Sequence, residues 1–429
     1  MSKFTTIQEF LTFVESQRRF STKRNLDNML CYCEILGNPQ KSFKAIHVTG
    51  TNGKGSVVSY LKNIFLEYGY NVGTFTSPYI TRFNERIGFN CDMIPDEEVL
   101  YFGNLIYEKY PEFLEKTNET PSFFEFITLL CFLYFQKVQP DIAIIEVGIG
   151  GLLDSTNVID SIVSTITSVS YDHMNVLGNT LEEILLNKLG IIRKNNPMVV
   201  GLKDKNLLKI CEDECAKFNS KLYQPLLGAF EIKKCDLEST QIITKGFGEV
   251  EIKLPGIHQI ENALVAIQTF VLAYQTLNPN KEIDFDIVRK GISNTTWPGR
   301  LEVVNQNPLI VLDGGHNEDG ISRVCEFVKT LNYQTKRCIF ACSDNKEKEK
   351  MLSLLEPHFD QIIITSFTYK RHSSATELFN YVNHSNKLLM EDIDQIIQFV
   401  YDQPYQLNLF LGSLYFVSEI RPKLKEANK

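Results

Sequence analysis

Ala45-Ile46-His47-Val48-Thr49-Gly50-Thr51-Asn52-Gly53-Lys54-Gly55-Ser56 is the stretch on which the reading of this chain turns. An apolar, β-branched run enters a glycine-rich turn, and Val57, Val58, Leu61, Ile64, Phe65 and Tyr68 then recur at helical spacing. Strand, glycine turn and helix N-terminus together make an anion site. Glycines let the backbone approach a phosphate, the N–H groups of the first helical turn point at it, and Lys54 adds a charge. Ser56 is placed to hold a magnesium ion beside the phosphates. The spacing departs from the usual phosphate loop, because two residues separate Gly50 from Gly53 and Gly55 splits the lysine from the serine. The competing reading is a βα turn that needs glycine only for its dihedrals.

The chain around this stretch has 429 residues, enough for two or three domains with their own cores. Hydrophobic residues make up 43% and charged residues 22%, the balance of an ordinary globular protein. A net charge of −8 gives no basis for a nucleic-acid partner, yet leaves room for an anionic ligand in a locally positive cleft. The ten cysteines are scattered. Cys31 and Cys33, Cys211 and Cys215, and Cys338 and Cys342 form no C-x-x-C pair, so neither a zinc nor a redox site is expected. The first residues lack the layout of a signal peptide, and no run is long and apolar enough to span a bilayer. A reducing cytoplasm, no membrane contact and a monomer are the expectations.

Taken in order, residues 1–44 read as helix and connector, and 71–76 as a second strand ending at Ser77-Pro78. Residues 79–86 are polar and irregular and are expected to form a mobile loop. Residues 122–135, rich in Phe and Leu, read as a packed core helix. Residues 141–147 suit a buried parallel strand interrupted by Glu146, a charge that burial penalises unless it is paired or metal-bound. Gly148, Gly150 and Gly151 follow as a turn. Residues 162–170 give a further strand before Asp172-His173, a helix from about Thr180 carries Lys188, and 197–201 is again strand. Residues 225–256 alternate like a small antiparallel sheet, and 259–274 is an apolar helix. From a boundary near 294–300, strands at 309–312, 336–341, 361–365 and 407–411 alternate with helices at 321–331, 346–355, 374–383, 392–401 and 413–420. That alternation argues a second doubly wound α/β domain.

In open α/β sheets, ligands sit beyond the carboxyl ends of the strands. The glycine loop, Ser77, Glu146, Asp172-His173 and Asp313 all stand at such ends, and all but Asp313 belong to one expected sheet. Alone, each has a bland reading: Ser77 before proline as a turn, His173 after Asp172 as a helix cap, Lys188 as a solvated helix lysine. Their shared edge is the argument for magnesium and nucleotide phosphates, since magnesium keeps few protein ligands and leans on phosphate.

The ordered set of motifs resembles the folylpolyglutamate synthase/dihydrofolate synthase family of Mur ligases. The resemblance rests on His47 to Ser56; Thr76-Ser77-Pro78 with Phe83-Asn84-Glu85-Arg86-Ile87; Phe124-Glu125; and Glu146-Val147-Gly148-Ile149-Gly150-Gly151 with Asp154-Ser155-Thr156-Asn157-Val158. Asp172-His173, Lys188-Leu189-Gly190-Ile191-Ile192 and His258-Gln259-x-x-Asn262 continue the series. Trp297-Pro298-Gly299-Arg300-Leu301-Glu302, Asp313-Gly314-Gly315-His316-Asn317 and Gly412-Ser413-Leu414-Tyr415 complete it, across nearly the whole chain.

What the resemblance implies is an α/β protein. Residues 1–296 form a P-loop ATPase-like parallel-sheet domain with a small antiparallel sheet, and 297–429 a smaller Rossmann-like α/β domain, with a cleft between. It implies an ATP-dependent ligase of folate and one-carbon metabolism. A reduced folate's side-chain carboxylate is activated as an acyl phosphate, L-glutamate attacks, and an amide, ADP and phosphate result. By the same resemblance Thr51, Asn52, Gly53, Lys54, Gly55 and Ser56 hold the ATP phosphates, and Asn262, Arg300 and Asp313 serve the nucleotide. Ser56, Ser77, Glu146, His173 and Lys188 serve two magnesium ions, with Lys188 carbamylated so that a cation becomes a carboxylate. His316 and Ser413 match positions near the incoming glutamate, and Lys54, Lys188 and His316 are the implied catalytic set. Leu189 and Gly315 replace the family's usual alanines. Tyr79 and Leu152 replace residues near the presumed pterin site, and leave open whether dihydropteroate is also a substrate. The alternatives are a nucleotide switch that makes no bond, or another Mur-type amide ligase. A cell-wall ligase is disfavoured by the lack of a sugar-nucleotide domain before residue 45.

Overall fold

A computed structural model describes residues 3–18, 25–225, 230–344, 346–369 and 372–427. Stretches 19–24 and 226–229, which fall in the expected N-terminal connector and small sheet, lie outside the described residues. The chain divides into two compact units. The first holds residues 1–77, 83–227 and 262–291, and the second residues 78–82, 228–261 and 292–429.

In the first unit, β1 (Ala45–Thr49), β2 (Val72–Phe75), β3 (Ile87–Phe89), β4 (Asp92–Met93), β5 (Ile142–Glu146), β6 (Ser161–Ile166), β7 (Met198–Val200) and β8 (Leu222–Tyr223) form one sheet. Its order is β4-β3-β2-β5-β1-β6-β7-β8. The six strands from β2 to β8 are parallel, and the β3–β4 hairpin adds an antiparallel edge. β1 is flanked by β5 and β6, so the order reverses at β1 and the crevice of a doubly wound sheet opens above it. All five residues of both β1 and β5 are buried, as a strand covered on both faces requires. The core helix Phe123–Val138 starts on a capping box in which Ser122 and Glu125 satisfy each other's backbone N–H. The helix Leu181–Leu189 starts the same way on Thr180 and Glu183, and its last turn carries Lys188.

Two expectations change. β6 ends at Ile166, four residues short, because 167–170 bonds to the glycine turn instead of extending the ladder. Residues 79–86 are not one irregular loop: Phe83–Arg86 is a 3-10 turn whose Phe83, Asn84 and Arg86 are buried. Asn84 donates to Ile94 O (2.7 Å) and Asp96 Oδ1 (2.8 Å), and Thr76 N–H to Arg86 O (2.9 Å), which tie that half down.

In the second unit β9 (Phe230–Cys235), β10 (Thr240–Thr244) and β11 (Gly248–Ile252) make the small antiparallel sheet. It clusters with this unit, Cys235 and Leu237 packing on its core. The larger sheet contains β12 (Glu302–Gln306), β13 (Leu309–Leu312), β14 (Lys336–Phe340), β15 (Gln361–Ile364), β16 (Lys387–Leu389) and β17 (Leu407–Leu411), in the order β12-β13-β17-β14-β15-β16. Only β12 is antiparallel to its neighbour. The period of two sends Val311, Cys338, Phe340 and Leu409 into one core and Ile310, Leu312, Ile339 and Phe410 into the other, so helices cover both faces. The closing helix, expected over 413–420, runs Leu414–Ala427 through Pro422, with Leu424 buried beyond it.

Arg337, fully buried on β14, lies over Tyr405 (4.1 Å) and Phe399 (4.9 Å) and donates to Gln361 Oε1 (2.6 Å) and Asn408 Oδ1 (3.1 Å). It therefore fastens β14 to β15 and β17. Arg337→Ala is expected to cost about 3 kcal/mol through the void and the two stranded acceptors, and Arg337→Met to recover part of it by refilling the volume. Urea unfolding followed by the fluorescence of the single tryptophan, Trp297, checks both.

Candidate functional site

The helix Lys54–Glu67 starts on Gly53, whose φ of +85° is a left-handed conformation that glycine adopts without strain. A Cβ at Gly53 would lie 2.2 Å from Asn262 Oδ1, so Asn262 packs directly on the turn. The first helical bond runs from Val57 N–H to Gly53 O (2.9 Å), which puts Lys54, Gly55 and Ser56 in the first turn, where N–H groups face out along the axis. On its other side the turn is laced to the segment after β6. Thr51 N–H donates to Ser168 O (2.9 Å), Asn52 N–H to Ser168 Oγ (2.9 Å), Thr167 Oγ1 to Asn52 O (2.6 Å) and Ser170 N–H to Thr51 Oγ1 (3.1 Å). Lys54 curls back over the turn and donates to Gly50 O (3.0 Å) and Thr51 O (3.3 Å).

Glu146 closes β5 in register with Val48. It is buried, and its Oε2 accepts the N–H of Ser77 at 3.1 Å, so these two expected metal ligands are neighbours. His173 takes a left-handed φ of +50° at the start of the short helix Met174–Leu177. Its N–H donates to Asp172 Oδ1 (2.8 Å), and its Nε2 lies 3.9 Å from the same oxygen. Lys188 is only 2% exposed, which excludes the solvated-lysine reading. Burial, then the charge of Lys54, bring its ammonium down to about 7 against the opposing pull of Asp172. Lys54, Asp172 and Lys188 thus share one electrostatic neighbourhood.

In the second unit Asp313 stands just past β13 and organises two loops. Its Oδ2 accepts Leu301 N–H (2.9 Å) and its Oδ1 accepts Gly315 N–H (2.7 Å). Burial pushes its carboxyl up, while Arg300, those two N–H groups and His316 pull the other way. A Cβ on Gly314 would sit 2.2 Å from Leu414 Cδ2 and 3.0 Å from Arg300 Nη1, so the second residue of this loop packs tightly against Leu414 with Arg300 close by. His316 Nδ1 is 2.8 Å from Gly314 O; a carbonyl only accepts, so Nδ1 carries the proton of that bond. Ser413 caps the closing helix through Tyr415 N–H (3.2 Å), the structural role its position favours.

Residues 48–270 match the Mur ligase middle domain, and residues 299–413 match the Mur ligase, glutamate ligase domain. The dihydrofolate synthase/folylpolyglutamate synthase of Bacillus subtilis is 36% identical over 435 residues, covering 98% of this chain and all of that one (100%). The chain belongs to this family of Mur ligases. A folylpolyglutamate synthase structure from Thermotoga maritima, 30% identical, superposes with a TM-score of 0.83 and covers 98% of this chain and 97% of that one. Another solved structure, described as an FPGS-AMPPCP complex, is 30% identical with a TM-score of 0.83, covering 98% and 100%.

Within this family framework the structure adds residues that sequence reasoning missed. Thr167, Ser168 and Ser170 hold the glycine turn from behind, but in the sequence they read as the end of a β-branched strand. The hydroxyls of Thr167 and Ser168 were the available signal, since a run of Thr and Ser at a strand's carboxyl end can bond a neighbouring turn, whereas Ser170 acts through its backbone. Gly53→Ala is expected to displace Asn262 and to cost at least about tenfold in AMPPCP affinity, roughly 1.4 kcal/mol, with far-UV circular dichroism unchanged. Isothermal calorimetry on the purified variant checks this.

Proposed function

We propose that this chain is an ATP-dependent ligase that adds L-glutamate to the γ-carboxylate of a reduced folate, as a folylpolyglutamate synthase, with dihydropteroate a second acceptor. The family membership carries the reading. The bifunctional name of the Bacillus subtilis relative supports both acceptors, and the AMPPCP complex of a 30% identical protein supports ATP. Residues 1–296 then serve as the ATP-binding domain and 297–429 as the ligase domain.

The donors present suit magnesium. Ser56 and Ser77 offer hydroxyls, Glu146 a buried carboxylate and His173 an imidazole, mostly hard ligands. Among the described residues no three His, Cys, Asp or Glu side chains gather into a cage, so a bound magnesium would draw the rest of its ligands from phosphate oxygens and water. When bound, magnesium neutralises charge on the transferring phosphoryl group. Lys54 and the backbone N–H groups of Lys54, Gly55 and Ser56 bind the β- and γ-phosphates, with Thr51, Asn52 and Gly53 setting the turn. Asn262, Arg300 and Asp313 serve the nucleotide, and cationic Arg300 offsets charge as the carboxylate attacks the γ-phosphorus and ADP departs. The glutamate amine then attacks the acyl phosphate carbon, phosphate leaves, and His316 Nε2 takes a proton from the amine.

Lys188 is buried where an ammonium is disfavoured, within range of the Lys54 charge. Its neutral amine would add CO2 to form a carbamate with loss of one proton, turning the side chain into an anionic oxygen donor that would help hold magnesium. That exchange relieves the Lys54–Lys188 repulsion.

ADP release should require both L-glutamate and a folate acceptor, tetrahydrofolate or dihydropteroate. ATP hydrolysis indifferent to both would favour a nucleotide switch. Lys54→Ala is expected to lower turnover at least about a thousandfold with the fold intact, the scale for losing a cation on a transferring phosphoryl group. Lys188→Ala is expected to be inactive and partly rescued by acetate. A lack of rescue together with an unmodified Lys188 mass in the parent would remove the carbamate.

A further inference from the structure

Asn157 has no role in the reading above, yet its side-chain amide uses every polar atom. Nδ2 donates to Leu152 O (3.0 Å) and to Gly190 O (3.0 Å), and Oδ1 accepts from Arg193 Nη2 (2.8 Å). Leu152 lies in the turn that leaves Glu146, and Gly190 follows the helix Leu181–Leu189 that carries Lys188. A second bond, Leu152 N–H to Asn187 O (2.8 Å), runs beside the first.

The two backbones also touch. A Cβ on Gly151 would sit 2.7 Å from Lys188 O, and a Cβ on Gly190 would sit 2.4 Å from Leu152 Cα. Arg193 holds the amide from behind, donating as well to Asn157 O (2.9 Å) and twice to Ile159 O (3.0 and 2.8 Å). Only a primary amide of this length supplies two donors and one acceptor at once. Aspartate offers no donors to the two carbonyls, and glutamine is one methylene too long.

We propose that Asn157, held by Arg193, is a positioning residue that fixes the turn after Glu146 against the helix end bearing Lys188, and so sets the spacing of these two metal-site groups. This rests on the metal-site reading of Glu146 and Lys188. Residues that orient metal ligands from behind typically change metal affinity by about 10–100-fold.

The test is calorimetry of AMPPCP binding with magnesium and with EDTA, on the full chain. The ratio of the two affinities is the magnesium-linked gain. Asn157→Ala is expected to lower that gain at least about tenfold while leaving the EDTA affinity within about twofold. Asn196→Ala deletes a comparable side-chain bond, Asn196 Nδ2 to Ser161 O (2.7 Å), at the start of β6, and is expected to leave the gain unchanged. A gain within twofold of the parent in Asn157→Ala, or an equal loss in Asn196→Ala, overturns the proposal. If Asn157→Ala does not fold, Arg193→Gln is read in the same way and against the same limits. A parent with no magnesium-linked gain overturns the metal-site reading itself, and this proposal with it.

Discussion

The bonding of β1 continues past the end of β5, and the expected chemistry of the first unit hangs on that continuation. Val147 N–H donates to Val48 O (2.9 Å), and the Thr49 hydroxyl donates to Gly150 O. Two glycine turns, 50–55 and 148–151, therefore leave the sheet side by side. A parallel sheet covered on both faces has no exposed face on which to place polar groups, so they collect at its carboxyl edge. β6 completes the arrangement by giving up its last residues, whose hydroxyls and backbone brace the first turn.

Charge is concentrated where water is scarce. Glu146, Lys188 and Asp313 are each almost fully buried, an arrangement that is costly unless every charge has a partner. Asp313 meets that demand with two backbone N–H groups and the Arg300 charge. Glu146 meets part of it through Ser77. Lys188 is buried and feels the charge of a second lysine, an arrangement more comfortable for a neutral amine, or for an anion made from it, than for an ammonium.

Much of the architecture was legible because the period of the apolar residues is a local property. The strands over 45–49 and 309–312 and the helices that follow them were read from spacing alone. What escaped were elements of mixed pattern. Glu302–Gln306 alternates weakly, being half-buried along most of its length, and the helices Asp96–Glu108 and Lys205–Lys217 carry dense charge on their outer faces. The buried half of 79–86 was hidden because Asn84 and Arg86 are polar, and the acceptors that let Asn84 be buried, Ile94 O and Asp96 Oδ1, come from a later segment. Among the site residues, Lys54 and Glu146 announced themselves by a glycine turn and by a charge in an apolar strand. Asn157 and Arg193 did not, since a polar side chain in a loop looks the same whether it faces water or clamps two backbones.

The sequence by itself determined the alternation of strand and helix, the glycine turns at strand ends and the ordered motifs that place the chain in its family. Each depends on neighbours within a few residues, or on an order of blocks that survives without coordinates. The tertiary structure decided which of those blocks touch. It buried Lys188 within range of the Lys54 charge, set Ser77 on Glu146, packed Asn262 on Gly53 and joined Leu152 to Gly190 through one asparagine. These contacts link residues far apart in the chain, and their distances follow from sheet order and register, which no local pattern encodes.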